Sequence, residues 1–144
     1  MQGFDYSREK KLESEIVKWE NLPNWRRYMA EKIAAQIDAE RFGVKNVYLI
    51  GSAKSAHVGP GSDIDLIIHF QGKPAQEDRL RLWLEGWSRC LAEINYLKTG
   101  YASEGLLDVH FITDESIAQK TSFSVKIGAV TDAAVLLPMA SSKS

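Results

Sequence analysis

Two short apolar runs set the frame of this chain. Residues 44–50 (VKNVYLI) and 63–70 (DIDLIIHF) are each too short for a stable helix and rich in β-branched residues, which fits them to strands. The twelve residues between them are rich in Gly, Ser and Pro and continue neither run. In the second run Ile64, Leu66, Ile68 and Phe70 share one face, and Asp63 and Asp65 share the other. After the turn Gln71-Gly72-Lys73-Pro74 the period changes. Leu80, Trp83, Leu84, Trp87, Leu91 and Ile94 line one stripe of a helix over 76–97, and its two tryptophans read most simply as core.

The remaining segments complete an α/β (α+β) pattern. Residues 7–20 read as an amphipathic helix, with Ser7 as N-cap and Leu12, Ile16 and Trp19 on one side. Asn21-Leu22-Pro23-Asn24 interrupts it. Asn24 then caps a helix to about residue 40, with Trp25, Met29, Ile33 and Ile37 inward and Gly43 as its left-handed stop. Residues 106–113 form a third strand, 115–120 a helical turn, 125–130 begin a further apolar segment, and 140–144 fray. This order predicts a small mixed β-sheet with helices. One domain is expected over 1–144, with N-terminal helices in 1–43, a catalytic core in 44–138 and a flexible tail in 139–144.

Composition narrows the classes. The chain has 18 Lys and Arg against 19 Asp and Glu in 144 residues, and its first 45 residues are as balanced as the whole. No basic face or tail is visible for phosphate backbones, so direct nucleic-acid binding is not expected. No apolar run approaches the roughly 18 residues of a membrane span. Cys90 is the single cysteine, and no signal-peptide pattern opens the chain; together they predict a reducing, cytoplasmic setting.

The chemistry concentrates in residues 47–70. Gly51-Ser52 ends the first strand, ten residues follow, and Asp63-x-Asp65 begins the second. Carboxylates two apart in a strand have Cα atoms about 6–7 Å apart, so both can reach one hard cation. Asp108, in LLDVHF, supplies a third carboxylate and shares its side of the strand with His110. Three acids on neighbouring strands repel one another, and a pair of magnesium ions would offset that repulsion. Gly51 allows close backbone approach, and Ser52 offers a hydroxyl and an N–H to phosphate oxygens. His57 reads as a surface residue. His69 and His110 read as lining or packing beneath the site rather than binding metal.

Gly-Ser, ten residues, Asp-x-Asp and a later strand aspartate resemble the nucleotidyltransferase superfamily of DNA polymerase β. The small size resembles its minimal branch, which includes the antitoxins that pair with HEPN-domain toxins. The resemblance is carried by residues 47–70 and 106–112. It implies helices on one face of the sheet and the active site on the other. It implies two Mg2+ ions held by Asp63, Asp65 and Asp108, with Asp65 bridging both ions and Asp108 beside the attacking hydroxyl. Gly51 and Ser52 would hold the triphosphate. Members often carry GSRARG here, whereas this chain has Ser55-Ala56 at the Arg-Gly positions and Lys54 as the nearest basic residue. The activity implied is transfer of a nucleoside monophosphate from a nucleoside triphosphate to a hydroxyl, releasing pyrophosphate. The acceptor would be a small molecule or a protein tyrosine, as on a HEPN-type toxin partner. The missing Arg-Gly leaves a rival reading, a catalytically inactive module that senses nucleotide or binds protein.

Overall fold

A computed structural model describes residues 24–54, 59–127 and 133–140. The helix expected over 7–20, His57, the Ser55-Ala56 positions and residues 141–144 lie outside the described residues.

Asn24 caps the first helix, its Oδ1 accepting from Arg27 N at 3.2 Å. This helix, α1 (Trp25–Ala35), buries Trp25, Met29, Ala30, Ile33 and Ala34. The sequence predicts one helix to about residue 40, but the chain breaks at Gln36. Asp38 is extended, and its Oδ1 accepts from Glu40 N and Arg41 N, both at 3.1 Å. A short acid that captures backbone N–H groups competes with the helical ladder, so it starts a new helix instead. That helix, α2 (Ala39–Phe42), ends at Gly43 with φ +70°.

Four strands form one mixed sheet in the order β3-β2-β1-β4. β1 (Val44–Ile50) runs antiparallel to β2 (Ile64–Phe70), with Val47 opposite Ile68 and Ile50 opposite Asp65. β2 leads through α3 (Pro74–Thr99) to β3 (Leu107–Ile112), which lies parallel to β2. α3 starts two residues before the expected stripe because Pro74 occupies its first turn, where a missing N–H costs nothing. Its stop is Gly100 at φ +78°. β4 (Val135–Leu137) pairs antiparallel with the outer edge of β1. Sequence periodicity does not reveal β4, because three residues carry no repeat. Between β3 and β4 lie α4 (Asp114–Ala118), where a helical turn is expected over 115–120, and a 3-10 turn, Ser124–Lys126; residues 128–130 of the apolar segment expected from 125 lie outside the described residues.

The two faces of the sheet are covered differently. Ile64, Leu66, Ile68 and Phe70 join residues of α1, α2 and α3 in the main core, with Trp83 and Trp87 packed against it. The opposite face holds a smaller cluster of Ile50, Ile67 and Ile112, against which Tyr48, Phe123, Ile127 and Ala134 pack. That second cluster covers part of the face that carries Asp65. No helix of the described residues is long and apolar enough to cross a membrane.

Candidate active site

The parallel pairing of β2 with β3 sets Asp65 directly opposite Asp108. Leu107, Val109 and Phe111 pack against the main core, which turns Asp108 and His110 to the other face. Asp65, Asp108 and His110 each offer a ligand atom, and these atoms lie within 4.8 Å of one another. His110 Nε2 is 3.3 Å from Asp108 Oδ2, and the imidazole stacks on Phe123 with ring centroids 3.8 Å apart. Gly51, at φ +75°, lies against Asp65; a Cβ there would collide with Asp65 Oδ2. A residue with a side chain would therefore be strained in backbone and would displace the carboxylate.

The electrostatics follow from this crowding. The Asp65 carboxyl is pushed up to about 6, by burial first. A hydrogen bond with Asp108 and the charges of Asp108 and Asp63 add to the rise, while His110 opposes it. Asp63 is also raised, by burial first and then by Asp108, and the charge of Arg26 opposes that shift. Two carboxyls that share a hydrogen bond at the end of paired strands are costly as free anions. A divalent cation is the partner that suits them, since carboxylate oxygens are its ordinary ligands. The donor set of two carboxylates and one imidazole fits such an ion.

The sequence-predicted residues are not all gathered equally. Asp65 and Asp108 meet. Asp63 sits one residue before β2, electrostatically linked to Asp108 but outside the tight group of ligand atoms among the described residues. Ser52 is exposed at the start of the 3-10 turn Ser52–Lys54, directly after Gly51. Lys54 Nζ donates to the Ala133 carbonyl at 3.1 Å, and its backbone carbonyl accepts from Arg27 Nη1 at 3.0 Å. His69 lies farther along β2 and bonds Asp114 Oδ1 through Nε2 at 2.8 Å.

Two residues carry more than the sequence suggested. His110, expected to line the site, has its Nε2 among the ligand atoms; alternation put it on the right face but could not give its distance from Asp108. Arg26, next to the apolar stripe of α1, is not singled out by the sequence, yet it is only 3% exposed. Its guanidinium bonds groups 34 to 69 residues away, which no local pattern signals.

No curated protein and no solved structure matches the chain. The sequence profile of the nucleotidyltransferase domain matches residues 30–127. The match runs from α1 through the Gly51-Ser52 turn, the paired aspartates of β2 and β3 and the crossover helix between them. It takes in more than half of the 144 residues. By that extent, the chain belongs to the nucleotidyltransferase domain family.

Proposed function

We propose that the protein is a magnesium-dependent nucleotidyltransferase that moves a nucleoside monophosphate from a nucleoside triphosphate to a hydroxyl. Domains of this family transfer nucleotidyl groups and generally use divalent metals. The observation that carries the reading for this chain is the register of Asp65 against Asp108 with Gly51 pressed on Asp65. Asp63, Asp65 and Asp108 are the proposed ligands of two Mg2+ ions, with His110 beside them. When bound, the ions supply positive charge against the triphosphate oxygens.

The chain's own groups then divide the work. Ser52 donates its hydroxyl and N–H to the β- and γ-phosphates, and Gly51 leaves room for them. Lys54 exchanges the Ala133 carbonyl for a phosphate oxygen. Asp65 fixes the relation between the phosphate side and the acceptor side. Asp108 accepts the proton of the attacking hydroxyl. That oxygen bonds the α-phosphorus as the bond to the β-phosphate oxygen breaks, and pyrophosphate leaves. The acceptor we favour is a protein hydroxyl, such as a tyrosine of a HEPN-type toxin. Among the described residues β3 is an edge strand and the Asp108 side chain is 52% exposed, so a hydroxyl presented by another protein can reach it.

Ser55-Ala56 in place of Arg-Gly favours a second reading, a module that binds nucleotide without transferring it. Incubation with Mg2+ and each α-labelled nucleoside triphosphate separates the two. Pyrophosphate release with label on an acceptor supports transfer. Triphosphate binding with no pyrophosphate, in the presence of candidate acceptors, supports the module.

A further inference from the structure

Below the turn that leads into Asp63 lies a buried polar clasp. Arg26 and Asn95 are 3% and 0% exposed. Arg26 Nε donates to Ser62 O at 3.0 Å, and Nη2 donates to Pro60 O at 3.2 Å and to Asn95 Oδ1 at 2.7 Å. Asn95 Nδ2 donates to the same Pro60 O at 2.8 Å. One cation from α1 and one amide from α3 thus grip two carbonyls of a single turn.

Burying a guanidinium is costly, and well-packed apolar side chains would often stabilise a core as much or more. What the clasp does that apolar groups cannot is fix backbone carbonyls in direction. Among the described residues, the turn 59–62 also closes on itself, through Ser62 N to Gly59 O and Gly59 N to Ser62 Oγ, both 3.1 Å, and Tyr101 packs against Gly61. Its other side is anchored by Ile64 N, which donates to Leu106 O at 2.7 Å. Asp63 is the one residue between these two fixed points, and the charges of both Asp108 and Arg26 act on it.

We infer that Arg26 and Asn95 are positioning residues for Asp63: by holding the turn 59–62 from beneath, they set the carboxylate of Asp63 toward Asp108 for metal binding. The inference rests on the proposed role of Asp63 as a metal ligand. Partners that orient a ligand typically change metal affinity by about 10–100-fold when lost.

The test uses Mn2+ alone as probe, followed by electron paramagnetic resonance, on the parent, Arg26→Lys, Asn95→Ala, Asp63→Asn and the double variant Arg26→Lys with Asp63→Asn. Melting without metal is recorded for each. Arg26→Lys keeps the charge and loses the fork; it should bind Mn2+ about tenfold more weakly. That loss should vanish in the Asp63→Asn background, and Asn95→Ala should act in the same direction. Unchanged Mn2+ affinity in Arg26→Lys and Asn95→Ala overturns the inference even if both melt lower, as does an equal loss with and without Asp63. Should Arg26→Lys and Asn95→Ala fail to fold, the parent decides by NMR. Its Arg26 Nε–H signal should move with Mg2+ at the midpoint of metal binding, and a signal indifferent to Mg2+ overturns the inference. A parent that binds no Mn2+ overturns the proposed function as well; a parent that binds it with an additive variant cycle overturns the clasp alone.

Discussion

Asp65 is where the charge balance of the site can be read most simply. Its folded carboxyl titrates at about 6, above the ordinary carboxylate range. The metal-free folded state therefore holds a proton that the unfolded chain has released between about pH 4 and 6. The sign follows: stability contributed by the protonated carboxyl is present below about pH 4 and lost as pH rises to 6. Asp65→Asn removes this dependence. Denaturant titrations of the metal-free protein at several pH values should show the parent losing on the order of 1–2 kcal/mol more than the variant over that range, with allowance for solvent screening. Ser52 makes a different prediction. It is exposed, so Ser52→Ala should leave melting unchanged while weakening triphosphate affinity. A lost hydrogen bond to a charged oxygen is worth roughly 1.5–3 kcal/mol, about tenfold or more. Calorimetric titration with triphosphate and Mg2+ measures it, and equal affinities would move the phosphates elsewhere. The acids and the Gly51-Ser52 pair are legible in sequence because alternation and spacing are local. Arg26 is not, because its burial depends on a turn and a helix remote in the chain.

Elements hold the site together through a few specific joints. Ser88 Oγ, on α3, accepts from Leu106 N and Leu107 N, both at 3.0 Å, and so ties the helix to the start of β3. Ser88→Ala takes that acceptor from Leu107 N, while Leu106 N keeps the Ser88 carbonyl at 3.1 Å, and should lower stability by about 1–3 kcal/mol in denaturant titration. A loss within error would mean that the joint is dispensable. Gly51→Ala should do more than destabilise. The new Cβ meets Asp65 Oδ2 and the backbone has φ +75°, so metal binding should suffer along with melting. Manganese titration beside a melting curve checks this, and unimpaired metal binding would place the ions away from Asp65. The strands β2 and β3 and the helix α3 are readable because each keeps one period over six or more residues, and β1 because it is a short apolar run rich in β-branched residues. The break between α1 and α2 is not, since Ile37 continues the apolar stripe while Asp38 silently captures the next helix's N–H groups. β4 is set by pairing with β1 rather than by its own three residues.

Across the whole molecule, the sheet divides stability from chemistry. One face is sealed by α1, α2 and α3, and the other packs a small apolar cluster beside a charged corner. The aspartate pair sits at that corner because the parallel register of β2 and β3 happens to align them, a fact that spacing along the chain cannot supply. The central claim is that this pair is a metal–nucleotide centre rather than a structural hydrogen-bond pair. Matched melting curves of the parent and Asp65→Asn, with and without Mg2+ and triphosphate, test it most directly. Without ligand, the variant should melt as high as the parent or higher at neutral pH, because a repelling charge is gone. With ligand at about 100 times its dissociation constant, the parent should gain about 2.7 kcal/mol and the variant far less. An Asp65→Asn protein that melts markedly lower without metal, yet keeps the full stabilisation by Mg2+ and triphosphate, would contradict the account.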